Sequence, residues 1–91
     1  MVYWTVRLKV ADSAQWRKVF DENEALRRAA GSTGVNQVFH DVDDANTITL
    51  IMEWDTAEKA RAFMSDPALA ERQKKAGSLG PPAVSTVMAR A

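Results

Sequence analysis

Aromatic side chains are the residues of this sequence best suited to bind a small molecule. The chain contains three tryptophans and three phenylalanines. Placed around one space, these rings could wall a pocket for an aromatic ligand, with indole N–H groups that orient it. Such rings more often only pack a core, but a small domain rarely needs three tryptophans for that purpose. We predict a ligand-binding set, which Phe39 could join, made of Trp4, Trp16, Phe20, Trp54 and Phe63.

His40 is the one histidine of the chain and a candidate general base, because imidazole titrates near neutral pH. The alternative is a histidine at a rim or interface that is hydrogen-bonded to a neighbour. Arg7, Asn36 and Glu53 could form a polar cluster on the same face of the sheet. For Arg7 and Glu53 we favour a salt bridge between subunits over a catalytic role.

Metal chemistry is not expected from this composition. The chain has no cysteine and a single histidine, whereas zinc and iron sites usually need two or three imidazole or thiolate ligands. The acidic segment "DVDDAN" lacks the glycine of a calcium loop at its sixth position, and Met52 stands where the loop needs glutamate. A solvated turn is the better interpretation, and we expect neither a metal nor another cofactor.

Charge and hydropathy argue against nucleic acid and membrane partners. Twelve basic residues balance twelve acidic ones, so the chain has no net positive charge that would attract nucleic acid or an anionic membrane. The start "MVYWTVRLKV" lacks the pattern of a signal peptide, and no apolar run approaches the roughly 20 residues of a membrane span. We therefore expect a cytoplasmic protein. RNA-recognition motifs share the fold predicted below, but they carry exposed aromatics on the third strand, where this chain has Thr49, Ile51 and Glu53.

The elements that must position these residues follow from periodicity. Residues 2–10 alternate apolar and polar, which predicts a half-buried strand. A helix follows and ends at Gly31, and two strands flank the turn formers "DDAN". A second helix begins near Asp55 and a last strand covers residues 84–88. The order is β-α-β-β-α-β, a single α+β ferredoxin-like domain over residues 1–91, with a four-stranded antiparallel sheet and helices on one face.

Local signals mark the helix ends. Asp12 or Ser13 caps the first helix, and Asp66 followed by Pro67 restarts the second one. Asp55 is predicted to cap the second helix as part of a capping box completed by Glu58. Charges near helix ends should be solvated and should suit the helix dipole; these are Arg27, Arg28, Lys74 and Lys75.

The hairpin between the second and third strands should decide which residues face the helices. An even spacing pairs His40 with Thr49 and Val38 with Ile51. The helix side would then hold Val35, Phe39, Ile48, Leu50, Met52 and Trp54, and the open side would hold Asn36, Val38, His40, Thr49, Ile51, Glu53 and Val87. An uncovered face of such mixed polarity usually binds a partner or a ligand, and a second copy of the sheet is the simplest partner.

Three segments carry a resemblance to a known group: "WRKVFDENEALRRAAGSTG", "QVFHDVDDANTITLIMEWDTAEKARAFMSDPALAE" and "KKAGSLGPP". The chain resembles the dimeric α/β-barrel superfamily, specifically small proteins related to the antibiotic-biosynthesis monooxygenases. Trp54 matches a tryptophan that recurs at the end of the third strand in several of these enzymes. The resemblance implies a homodimer whose two sheets form a barrel, and a pocket between sheet and helices in each subunit.

Two functions follow from the resemblance. The first is a small cofactor-independent monooxygenase or cyclase that acts on an aromatic or polyketide-like molecule. The second is a non-catalytic dimeric protein that binds a hydrophobic or aromatic ligand or acts in a stress response. Haem-degrading and many oxygenase relatives use a histidine on the second helix, which this chain lacks. That departure favours the second function, whereas the tryptophan-rich helix side favours the first.

Overall fold

A computed structural model describes all residues, Met1–Ala91. Its elements in chain order are β1 (Val2–Lys9), α1 (Ser13–Glu22), α2 (Glu24–Ala30), β2 (Ser32–Asp41), β3 (Asp44–Trp54), α3 (Ala57–Met64), α4 (Pro67–Lys75) and β4 (Val84–Met88). The four strands form one antiparallel sheet in the order β2-β3-β1-β4. The predicted ferredoxin-like fold is confirmed. The second predicted helix restarts at α4 as expected, whereas the first is divided into α1 and α2, which was not predicted.

The helix breaks have local causes. Asn23 separates α1 from α2 with φ −95° and ψ 9°, and its side-chain amide donates to the Val19 carbonyl at 3.0 Å. The second break precedes α4, where Asp66 accepts from the backbone N–H of Ala68 at 2.9 Å and Pro67 is the first helical residue. Proline lacks the N–H that a continuing helix needs, so the chain restarts there.

The predicted caps at Asp12 and Asp66 are confirmed, and the one at Asp55 was wrong. Thr56 is the N-cap of α3, and its hydroxyl accepts from the Lys59 N–H at 3.2 Å. Asp55 instead pairs with the Lys59 ammonium at 2.7 Å. The Lys59 contact lowers the pKa of Asp55 below its ordinary value.

The predicted pairing of β2 with β3 was wrong by one residue. Val38 lies opposite Leu50, His40 opposite Ile48, and Phe39 opposite Thr49. The turn occupies residues 42–43, and an irregularity between His40 and Asp41 changes the spacing from even to odd. Because side chains alternate along a strand, this slip moves every β2 side chain to the other face.

The helices cover one face of the sheet and enclose the core. Twelve buried apolar residues form it: Trp4, Val6, Leu8, Val10, Trp16, Ile48, Leu50, Met52, Trp54, Ala60, Phe63 and Ala76. The assignment of β1 and β3 side chains to the helix side is therefore confirmed. For β2 and β4 the assignment was wrong, because Val38 and Val87 pack against this core while Phe39 and Val35 are 54% and 59% exposed on the opposite face. No helix of the structure has both the length and the hydropathy to cross a membrane.

Candidate functional site

A cavity of about 90 Å³ lies between the sheet and the helices. Alternate residues of β1 and β3 form its floor: Trp4, Val6, Leu8, Leu50 and Met52. Residues of the helices form its walls: Trp16, Val19 and Phe20 from α1, Phe63 from α3, Leu69, Arg72 and Gln73 from α4, and Ala76. Asn23 and Arg27 complete the lining at the junction of α1 and α2. The predominance of apolar walls suits an apolar or aromatic ligand.

Four of the five predicted ligand-binding residues line this cavity. Trp16 and Phe20 stack with ring centroids 5.0 Å apart and planes inclined by 19°, because a spacing of four residues places them on the same side of α1. Trp4 and Phe63 meet edge to face at 6.3 Å. The Trp4 indole N–H donates to the Ser85 hydroxyl at 3.0 Å, so it is already engaged within the protein.

Trp54 is the fifth predicted residue and does not line the cavity. It is fully buried, and its ring centroid lies 5.2 Å from that of Phe63 and 6.0 Å from that of Trp4. Its indole N–H has no hydrogen-bond partner. Trp54 therefore supports the aromatic wall from behind.

Arg27 is the buried charged residue of the cavity wall. Its side chain is only 5% exposed, and its guanidinium carbon lies 3.7 Å from the centroid of the Phe20 ring. One terminal nitrogen, Nη1, donates to the Phe20 carbonyl at 2.7 Å, while Nε has no partner. Burial lowers the pKa of Arg27 below its ordinary value. The prediction that Arg27 is a solvated helix-end charge was therefore wrong.

Arg72 is a second guanidinium on the wall, and it reaches the cavity from α4. Its guanidinium carbon lies 5.1 Å from the centroid of the Phe63 ring. Its Nη2 nitrogen is buried and has no hydrogen-bond partner. Two arginines thus carry unpaired N–H groups in a cavity whose lining contains no aspartate, glutamate or histidine.

The sequence contained a signal for Arg27 that the prediction passed over. Arg27 follows Phe20 by seven residues, which is two turns and hence the same side of the single, undivided helix that the sequence predicts. For the first helix the sequence predicts an apolar stripe that includes Trp16, Val19, Phe20, Leu26 and Ala30, but Leu26 is 45% exposed. The buried side of the first helix was predicted from apolar residues alone. That prediction left out an arginine whose stem and guanidinium pack on an aromatic ring.

The candidate base His40 lies away from the cavity. It is exposed on β2, at the edge of the sheet, and its Nδ1 is 2.8 Å from the Asp41 carbonyl oxygen. Its predicted position opposite Thr49 was wrong, since its partner is Ile48. His40 is not one of the residues that line the cavity.

The predicted polar cluster of Arg7, Asn36 and Glu53 does not form. Arg7 makes a two-pronged contact with Asp41, with N–O distances of 2.7 and 3.0 Å. The hydrogen bonds from Arg7 lower the pKa of Asp41. Asn36 pairs with Met52 on the helix side, and Glu53 lies opposite Tyr3 on the open side.

The open face of the sheet is more apolar than predicted. Its large apolar and aromatic members are Tyr3, Val35, Phe39, Ile51, Val84 and Met88. Tyr3 accepts a hydrogen bond from Arg90 Nε at 3.1 Å, and the Arg90 guanidinium lies 5.1 Å from the Tyr3 ring centroid. We refer to these six residues below as the open-face patch.

Comparison with known proteins identifies the fold. The sequence matches no protein-family model and no curated protein. Among solved structures, a candidate antibiotic biosynthesis monooxygenase from Bordetella bronchiseptica superimposes with a TM-score of 0.80 at 14% identity, covering 99% of this chain and 96% of the other. SnoaB, a cofactor-independent oxygenase from Streptomyces nogalater, superimposes with a TM-score of 0.75 at 17% identity, covering 99% of this chain and 92% of the other. A candidate antibiotic biosynthesis monooxygenase from Nitrosomonas europaea gives 0.70 at 14%, covering 99% and 98%.

These similarities extend over the whole chain and nearly the whole length of each solved structure. The TM-scores establish a common fold. The low sequence identities do not establish a common activity, so the chemistry must be argued from the site itself. The strand order, the helix layer and the position of the core all agree with the resemblance found in the sequence. The chain has the fold shared by the candidate antibiotic biosynthesis monooxygenases and by SnoaB.

Proposed function

We propose that the protein binds an aromatic small molecule in the cavity between sheet and helices and acts on it as a cofactor-independent monooxygenase or cyclase. The observation that carries this proposal is the set of four aromatic rings, Trp4, Trp16, Phe20 and Phe63, that wall one apolar cavity. The fold shared with SnoaB, a cofactor-independent oxygenase, adds support. Flat aromatic ligands pack well against such rings and bury their surface from water.

The chemistry requires little from the protein beyond binding and orientation. An electron-rich substrate with an activated CH₂ group can react with oxygen directly. The CH₂ group becomes a carbonyl, one atom of O₂ enters the product, and the other leaves as water with the two hydrogens. An apolar cavity contributes by excluding water and by holding the reacting carbon in one orientation.

The size of the cavity restricts the ligand. Its volume of about 90 Å³ is below the roughly 300–1,000 Å³ of drug-sized sites. A bicyclic or tricyclic ligand must therefore displace part of the wall. Helix α4 is the element that can yield most easily, because none of its residues is fully buried.

A non-catalytic binding protein is the second candidate, and one observation favours it. The cavity lining includes no histidine, aspartate or glutamate, so no side chain of an ordinary general base faces a bound ligand. The ligand would then be bound and released unchanged.

We also propose that the protein is a homodimer in which the open-face patch of one subunit covers that of the other. Phe39 and Val35 are more than half exposed there, and large exposed apolar patches usually mark interaction sites. A second copy offers the same patch, and two-fold symmetry makes such a surface self-complementary.

Anthrone tests the enzymatic proposal, because its CH₂ group would be converted to the carbonyl of anthraquinone. Binding is followed by tryptophan fluorescence and turnover by consumption of oxygen above the spontaneous rate. We expect both signals, and we expect Phe20→Ala to weaken them. Binding without turnover would support the second candidate, and the absence of both would contradict the proposed site.

A further inference from the structure

We infer that the ligand of the cavity carries an anionic oxygen, such as a carboxylate or an ionised enol or phenol, and that Arg27 selects it. The inference rests on the proposed function, because it concerns the ligand of the same cavity. It specifies the chemical class of that ligand, and it identifies Arg27, at the junction of α1 and α2, as the residue that determines specificity.

The burial of Arg27 is the first part of the argument. The residue is 5% exposed, yet its guanidinium makes one hydrogen bond within the protein, to the Phe20 carbonyl. Guanidinium carries five N–H donors, and it keeps its proton in proteins. A buried cation with unused donors is costly unless an acceptor reaches it. Its Nε is buried and has no partner, so a donor remains for a ligand.

The missing carboxylate is the second part of the argument. The ion pairs of the structure join Arg7 to Asp41, Lys9 to Asp44, Arg17 to Asp21 and Lys59 to Asp55. None of them includes Arg27. Arginine at a buried site is normally matched by an anion, and no acidic residue lines the cavity. Glu24 and Asp21 act on Arg27 through space and raise its pKa, but neither forms an ion pair with its guanidinium. The cavity lining itself therefore offers the guanidinium no anionic partner.

The geometry of the wall is the third part of the argument. The Arg27 guanidinium lies over the Phe20 ring at 3.7 Å, and that ring stacks on Trp16 at 5.0 Å. The charge is therefore stacked on an aromatic ring of the same wall. Arg72 adds a second buried N–H without a partner on α4. An aromatic acid matches this arrangement, since its ring can contact the aromatic wall while its oxygen accepts from the guanidinium.

A structural role for Arg27 is the competing explanation. Its bond to the Phe20 carbonyl ties the last turn of α1 to α2, and this bond alone could account for an arginine at the position. The two explanations differ in one measurable respect. A structural tie affects all ligands of the cavity alike, whereas a charge partner affects only anionic ones.

The test compares 2-naphthoate with 2-naphthamide, a neutral molecule of nearly the same shape, by tryptophan fluorescence titration at neutral pH. For the unmodified protein we expect 2-naphthoate to bind at least about tenfold more tightly, as charge-assisted hydrogen bonds allow. Arg27→Met should remove most of that difference and leave 2-naphthamide affinity within about threefold. Arg28→Met, at an exposed neighbouring arginine, is the matched control and should leave both affinities unchanged.

Several results would overturn the inference. If both probes bind equally to the unmodified protein, or if Arg27→Met weakens both equally, Arg27 is a structural tie and the proposed cavity survives. If neither probe binds, the proposed function fails together with the inference. Should Arg27→Met fail to fold, Arg27→Lys keeps the charge without the planar fork. We expect Arg27→Lys to retain a preference for 2-naphthoate, and its loss in a folded variant would contradict the charge pairing.

Discussion

The Trp54 ring packs against the Phe63 ring with centroids 5.2 Å apart and planes inclined by 45°. This contact joins the end of β3 to helix α3. Trp54 has no exposed surface, so its removal leaves a cavity that the surrounding residues cannot fill completely. We expect Trp54→Ala to reduce the free energy of unfolding by about 3–5 kcal/mol, measured by urea denaturation.

The conservative variant Trp54→Phe is the control for that change. It keeps an aromatic ring and removes an indole N–H that has no partner. The reduction in the free energy of unfolding should therefore be clearly smaller than for Trp54→Ala. A loss below about 1 kcal/mol for Trp54→Ala would show that the residue does not support the core.

The open-face patch yields a prediction about assembly. Light scattering of the unmodified protein should give about twice the chain mass of 10.1 kDa. Ile51→Asp or Phe39→Asp should lower it to one chain mass, because a charge would be buried without a partner. Glu22→Ala, an exposed change on the helix side, should leave the mass unchanged. A mass of one chain for the unmodified protein across a dilution series would contradict the dimer.

His40 provides a test of where the ligand binds. His40→Ala should change the affinity for 2-naphthoate by less than about threefold, which is under 1 kcal/mol, because His40 lies outside the cavity lining. Phe20→Ala should weaken the same affinity at least about tenfold, because it removes a stacked ring from the wall. The opposite ranking of these variants would place the ligand on the outer part of the sheet.

Asp44 yields a prediction about acid stability. Its carboxylate accepts from the Thr47 hydroxyl at 2.7 Å and from the Asn46 N–H at 3.0 Å, and these bonds lower its pKa in the folded state. The unfolded chain therefore binds the proton more tightly. The stabilisation is present above the unfolded pKa of about 3.9 and is lost as the pH falls through the lower folded value.

Thermal unfolding between pH 6 and pH 2 measures this effect. Asp44→Asn should flatten the fall in melting temperature at the acid end. Asp43→Asn changes an exposed neighbour of the same charge and should leave the profile as it is. An unaltered acid profile for Asp44→Asn would contradict the assignment.

Asp55 is the predicted cap of α3 and Thr56 is the observed one, and a pair of variants separates their contributions. Thr56→Ala removes the acceptor for the Lys59 N–H and should cost about 0.5–2 kcal/mol of folding free energy. Asp55→Ala removes only an exposed ion pair with Lys59 and should cost less. Equal losses in urea denaturation would contradict the observed cap.

Features that depend on neighbouring residues could be predicted from the sequence. The alternation of β1 placed Trp4, Val6 and Leu8 on the buried side because successive strand residues point to opposite faces. Asp66 before Pro67 marked the start of α4 because both residues act within one helical turn. The spacing of four residues also places Trp16 and Phe20 on one side of the first helix, and the structure shows their rings stacked there.

Only the tertiary structure decided the features that depend on pairing and packing. The irregularity between His40 and Asp41 set the register of β2, and with it the exposure of Phe39 on the open face. The sequence of a strand is compatible with either register, and the hydrogen bonds to the neighbouring strand decide between them. Arg27 is charged and looks solvated in the sequence, but the junction of α1 and α2 closes over it and the Phe20 ring covers it. Its burial depends on the angle between two helices, which residue types alone do not determine.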